Sequence, residues 1–176
     1  VSAIVPASSL QEVLRSISDD VEEIEIAFND DLVRFRLGEV EIISKLIDAS
    51  FPDYRKLIPK DNDIFATVNR EELVRVTKLA ALFARSVGGS IICEAKKPDS
   101  FIVKSIANEF GENDSEIKTK VTKDSRVHFN SRFLIDALNS LTEPEIEFSF
   151  SDRVSPTVLK NKKDRTYTHI VMPLNS

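Results

Sequence analysis

Cysteine occurs once in the 176 residues, methionine once, glycine four times and tryptophan not at all. One cysteine cannot form an internal disulfide, so a disulfide-stapled scaffold is excluded and a reducing cytosol is the expectation. Four glycines leave little room for a glycine-rich nucleotide cradle. Long apolar runs are also missing. Leu79–Ala84 is typical of what there is, far short of the ~18 residues of a membrane-spanning helix. No charged-then-apolar signal segment opens the chain. The only methionine is Met172 and the first residue is Val1, so the expectation is a fragment or a processed chain. Basic residues are outnumbered, 24 against 29, for a net charge of −5. Phosphate neutralisation supplies most DNA affinity, so this balance argues against tight duplex binding by the whole surface. One basic face touching DNA loosely is still compatible with it.

Catalytic and metal-binding constellations are equally scarce. Cys93 lies in an apolar stretch and reads as a small buried hydrophobe rather than a nucleophile. His128 and His169 stand in strand-like segments without Cys or carboxylate at metal-ligand spacing. Gly88-Gly89-Ser90 follows a helical segment instead of opening one, which is the wrong geometry for a phosphate loop. Asp19-Asp20 and Asp30-Asp31 fall in turns, where carboxylates cap backbone groups. No enzyme activity, cofactor or metal is expected.

What the sequence does contain is a repeat. Val5-Pro6-Ala7-Ser8-Ser9-Leu10, Val68-Asn69-Arg70-Glu71-Glu72-Leu73 and Phe129-Asn130-Ser131-Arg132-Phe133-Leu134 each read as the end of a short strand, a turn residue and the start of an amphipathic helix. Their offsets are 63 and 61 residues, from Val5 to Val68 and from Val68 to Phe129. Three strand-like segments follow each helix, with period-two alternation at Ile24, Ile26 and Phe28 after the first and at Ile146, Phe148 and Phe150 after the third. After the first come Ile24, Ile26 and Phe28, then Leu32–Leu37 and Val40–Ile47. After the second come Ser90–Ala95, Ser100–Ala107 and Glu116–Thr122, with a hairpin at Lys97-Pro98-Asp99. After the third come Ile146, Phe148 and Phe150, then Thr157–Asn161 and Tyr167–Met172. The expected fold is α+β, built of three β-α-β-β-β units. Phe51–Pro59, with two prolines and no periodicity, reads as an ordered linker, which puts domains at 1–60 and 61–176.

The helix over 70–85 carries Arg70, Arg75, Lys78 and Arg85 against Glu71 and Glu72, a local cationic excess in an acidic chain. Leu82 and Phe83 are adjacent, hence about 100° apart on a helix. Both cannot easily enter one core beside Ala80, Ala81 and Ala84, which marks them as an interface patch.

Ser44-Lys45-Leu46-Ile47-Asp48-Ala49-Ser50-Phe51-Pro52-Asp53-Tyr54-Arg55 strongly resembles the segment joining the second and third domains of the bacterial replicative sliding clamp, the DNA polymerase III beta subunit. Val68–Leu73, Phe129-Asn130-Ser131 and the ending Val171-Met172-Pro173-Leu174 are similar to the same family, in order, over the whole chain. The resemblance implies a DNA-clamp fold. It places residues 1–60 as the second half of a middle domain and 61–176 as a complete C-terminal domain, the first part leaving an exposed sheet edge and helix face.

The resemblance also implies a non-catalytic, cytoplasmic processivity factor. Its full-length form is a homodimeric ring encircling double-stranded DNA. Its partners are the DNA polymerase III alpha subunit, the clamp loader and other proteins with clamp-binding motifs. Arg15, Arg75 and Lys78 are the implied DNA-facing residues, and Leu82 and Phe83 the ring-interface pair. Short segments with one Gln and two large apolar residues are implied to bind a cleft. Pro52, Lys56 and Leu57 line it from the linker, and Asn130 and Phe133 from the third helix. Val154 and Pro156 come from a loop, and Val171, Met172, Pro173 and Leu174 from the tail. Asn175-Ser176 departs from the basic and apolar residues common at this end, and no Gly-His-Arg-Leu-type segment is present for the cleft's other wall. A stand-alone peptide-binding module without a DNA role and a small hydrolase remain rival readings. A peptide-binding assay and substrate screening separate them.

Overall fold

Leu32-Val33-Arg34-Phe35-Arg36-Leu37 alternates apolar and polar side chains strictly, and Val33, Phe35 and Leu37 are buried while Leu32, Arg34 and Arg36 face out. The computed structural model describes residues 2–59, 64–107, 111–150 and 154–174. The chain forms two compact units, Val1–Asp53 and Tyr54–Ser176.

In the first unit, helix α1 (Ala7–Ser16) precedes a three-stranded antiparallel meander, β1 (Glu25–Phe28), β2 (Leu32–Leu37) and β3 (Val40–Lys45), ordered β1-β2-β3. The Asn29 side chain shapes the first turn by accepting from the Asp31 and Leu32 N–H groups at 3.0 and 2.7 Å. Gly38 takes the left-handed φ of +58° that the second turn needs. The core is small: Val13, Val33, Phe35 and Leu37, with Val5, Val21, Ile42 and Leu46 packed against it.

Two sequence expectations change here. The strand expected at Val5 does not form. Pro6 has no N–H to donate, and among the described residues the segment is tied by a bond from the Ile47 N–H to the Ile4 carbonyl at 2.9 Å. The alternation at Ile24, Ile26 and Phe28 does produce β1, but every β1 residue is exposed, Ile26 by 53% and Phe28 by 43%. Leu14 on α1 is 70% exposed.

The second unit contains β4 (Ile64–Asn69), α2 (Arg70–Phe83), β5 (Ser90–Lys96), β6 (Ser100–Ala107), β7 (Gly111–Lys118), β8 (Ser125–Asn130), α3 (Ser131–Asn139), β9 (Glu145–Phe150), β10 (Thr157–Asn161) and β11 (Thr168–Val171). Its two sheets run β11-β10-β9-β4 and β7-β6-β5-β8, antiparallel throughout. The strand before each helix therefore pairs in the other repeat's sheet: β4 lies on β9 and β8 on β5. The two repeats are interlocked. The same rule accounts for the first unit, where the chain before α1 does not pair with β1.

α2 packs against α3 and against β6 and β7. Leu73, Val76, Ala80, Leu134, Ala137 and Leu138 project from the helices into a core that also holds Phe101, Phe129, Phe148 and Phe150. Asparagines start both helices. Asn69 accepts from the Glu72 N–H and Asn130 from the Arg132 N–H, both at 3.0 Å. Gly88 and Gly89, at φ +67° and +78°, end the turn after α2. The hairpin at Lys97-Pro98-Asp99 forms as expected between β5 and β6. The third strand of this repeat is displaced from Glu116–Thr122 to Gly111–Lys118, because β7 pairs back to the Ala107↔Gly111 register. Its polar start, Gly111–Ser115, lacks the apolar alternation that marks a strand and suits an outer edge.

Candidate functional site

Helix α3 buries Ser131, Leu134, Ala137 and Leu138. That leaves Phe133 and Asp136, three residues apart and so on one face, pointing away from the core. Phe133 is 58% exposed, an unusual position for a large aromatic ring. α3 lies beside β11. Between them runs a groove of about 390 Å³ lined by Phe133, Asp136, His169, Ile170, Val171 and Met172. Val171 is buried within it, while Met172, just past the end of β11, is 53% exposed. The Leu174 N–H donates to the His128 carbonyl at 2.8 Å and ties the tail beyond Met172 to β8. The result is an apolar trough with an adaptable thioether on one side and an aromatic ring on the other.

Two polar side chains join the lining. The Tyr167 hydroxyl lies 2.9 Å from His169 Nδ1. Burial lowers the His169 pKa below its ordinary value, and the nearby Asp136 carboxylate opposes that shift. Asp136 itself has no ion-pair partner among the described residues.

Of the sequence-derived cleft residues, Phe133, Val171 and Met172 meet in this groove. Pro173 and Leu174 continue from it, half-buried. Asn130 is engaged at the start of α3, its amide also donating to the Gly88 carbonyl at 3.4 Å. Lys56 and Leu57 sit in and just after a 3₁₀ turn, Tyr54–Lys56, both exposed. Val154 is 63% exposed and Pro156 half-buried, and neither lines the groove. Pro52 belongs to the first unit and is exposed. Asn175 and Ser176 lie outside the described residues. Asp136, His169 and Ile170 were missed by sequence reasoning. The i,i+3 relation of Asp136 to Phe133 was the available signal, and for His169 and Ile170 only adjacency to Val171 was.

The cationic candidates are at the surface. Arg15 pairs with Glu12 at 2.9 Å and Arg75 approaches Glu72 at 3.9 Å. Such exposed pairs are weak and leave the guanidinium free to exchange partners. Lys78 is exposed on α2. Leu79 and Leu82 add 37% and 58% exposed apolar surface to that helix, while Phe83 is half-buried. Cys93 is fully buried, which pushes its thiol up to about 12. No helix among the described residues is long and apolar enough to cross a membrane.

Comparison with known proteins returns two family models. The DNA polymerase III beta subunit, C-terminal domain, matches residues 55–175, and the DNA polymerase III beta subunit, central domain, matches residues 1–53. Beta sliding clamps from Staphylococcus aureus and Staphylococcus epidermidis are each 28% identical over 177 aligned positions, covering 99% of this chain and 47% of theirs. The chain thus spans about half the length of the curated relatives it matches. Among solved structures, the DNA polymerase sliding clamp of Bacillus subtilis superimposes with a TM-score of 0.86 at 26% identity, over 99% of this chain and 47% of that one. The DNA polymerase III beta subunit of Thermotoga maritima gives 0.84 at 27% identity, over 100% and 48%.

Proposed function

This chain belongs to the DNA polymerase III beta subunit family, and from that premise we propose that it forms part of a cytoplasmic sliding clamp, a non-catalytic processivity factor that holds DNA polymerase on duplex DNA. Residues 1–60 take the place of the second half of the middle domain with its linker, and residues 61–176 that of the C-terminal domain. The full-length protein on this reading is a homodimeric ring. Arg15, Arg75 and Lys78 face the DNA, and Leu82 and Phe83 meet the neighbouring subunit. A net charge of −5 with cations gathered on one helix suits sliding: the acidic surface avoids sticking while a mildly basic lining keeps the ring on the phosphates. By itself this chain binds duplex DNA weakly and with strong salt dependence.

The observation that carries the reading is the groove between α3 and β11. It gathers Phe133, Val171 and Met172, three residues singled out from the sequence as peptide contacts, into one apolar trough. Its occupants are short segments carrying one Gln and two large apolar residues, borne by the polymerase alpha subunit, the clamp loader and other clamp-binding proteins. Each buried Leu or Phe of such a segment contributes about 1.5–3 kcal/mol, offset by the cost of ordering the peptide. Affinity on the order of 10 μM or weaker is expected of this chain, about 7 kcal/mol or less.

Calorimetry with such a peptide tests the reading. Met172→Ala and Phe133→Ala should each weaken binding while leaving the melting temperature close to that of the parent, since both side chains are more than half exposed. Unchanged affinity in both folded variants would remove the groove from the site.

A further inference from the structure

The groove holds one charge that its apolar walls leave unbalanced. Asp136 rises from the same face of α3 as Phe133, and its carboxylate has no ion-pair or hydrogen-bond partner among the described residues. Two carboxylates on the neighbouring strand β9 are, by contrast, engaged: Glu145 with Lys162 at 2.7 Å and Glu147 with Arg165 at 2.6 Å. Across the groove Asp136 meets His169, whose burial favours the uncharged imidazole, so that side supplies no compensating cation. The nearest cation in sequence, Arg132, stands four residues before Asp136 and so on the same side of α3, yet it forms no ion pair with Asp136 and is not part of the groove lining. The remaining lining residues, Phe133, Ile170, Val171 and Met172, carry no charge.

An apolar segment that fills this trough takes water away from an unpaired carboxylate. That costs free energy unless the incoming chain brings a cation with it. Resting on the peptide-capture reading, we propose that Asp136 is a specificity-determining residue: the groove selects segments that carry a lysine or arginine beside the apolar anchor, and disfavours those with a carboxylate there. A cation next to the anchor meets Asp136 in a partly desolvated ion pair, whereas an acidic residue at that place adds like-charge repulsion. Because the pair forms at the rim, the preference is modest and depends on salt.

The probes are two synthetic peptides with the same Gln-containing segment and the same two large apolar residues, one with Lys and one with Glu beside the anchor. Both are titrated by calorimetry into the parent chain, Asp136→Asn, Asp136→Lys and Met172→Ala. The Lys peptide should bind the parent about three- to fivefold more tightly than the Glu peptide at low salt, and the ratio should shrink toward one at 0.5 M salt. Asp136→Asn should abolish the ratio and Asp136→Lys reverse it, with melting temperatures confirming folded variants. A ratio of one in the parent, or a ratio unaltered by Asp136→Asn, overturns charge selection. If Met172→Ala still weakens both peptides in that case, peptide capture stands and only the role of Asp136 falls. Failure of both peptides to bind the parent overturns both.

Discussion

Phe101 on β6 and Phe148 on β9 meet edge to face, their ring centroids 5.2 Å apart with an interplanar angle of 65°. The two strands belong to different sheets, so this pair couples the interlocked repeats of the second unit. Phe148 also meets Phe129 at 5.9 Å and Phe150 at 5.7 Å, which makes it the centre of a four-ring cluster. Edge-to-face contacts of this kind add to simple area burial.

Truncating that centre should be costly. Phe148→Ala is expected to lose about 3–5 kcal/mol of stability. Phe148→Leu, which keeps much of the volume, should lose less. Urea unfolding followed by circular dichroism reads this as a lower midpoint at an unchanged slope. A loss under about 1 kcal/mol would mean that the two sheets are held together elsewhere.

Asn130 caps α3, so its replacement combines two effects that a peptide titration alone would confuse. Asn130→Ala should destabilise the fold by about 1 kcal/mol. Asn130→Asp keeps the capping oxygen and should melt near the parent, yet it removes the amide donor. Weaker peptide binding by Asn130→Asp at unchanged melting temperature would assign Asn130 a direct peptide contact. Equal binding would leave it the cap alone.

Cys93 should be chemically silent in the folded chain. Burial raises its thiol to about 12, and a thiol rather than a thiolate is a poor nucleophile. An aromatic disulfide reagent at pH 8 should release nothing from native protein on the timescale of minutes. In denaturant it should release one equivalent, matching the single cysteine. Rapid labelling of the native chain would contradict the burial of this strand.

His169 makes stability depend on pH in a defined direction. Its folded-state pKa is lowered by burial, with Asp136 opposing, so the unfolded chain binds the proton more readily. The contribution of His169 is therefore fully present above its ordinary value of ~6.5 and is lost as pH falls through the lowered folded value. Thermal melts between pH 7.5 and 5 should show a decline that His169→Gln flattens. A variant with the same slope as the parent would show that other groups set it.

The periodicities that mark helices and strands are local properties, and they were legible along the chain. Alternation in Leu32–Leu37, the helices opened by Asn69 and Asn130, and the turn at Gly88-Gly89 all stand where residue pattern and turn chemistry place them. The repeat at offsets of 63 and 61 residues announced related units, and the motifs around Phe51–Arg55 and Val171–Leu174 pointed to the family. Pairing was not legible. A period of two states which face of a strand is buried and says nothing about its neighbour, so the exchange that lays β4 on β9 and β8 on β5 is settled only by the packing of one repeat against the other. The same holds for the groove. Phe133, Val171 and Met172 could be named singly, but Asp136 and His169 are separated by 33 positions and share a wall only because α3 is laid against β11. Tertiary contact is a property of distant segments brought together by burying Leu134, Leu138 and the phenylalanine cluster in a common core.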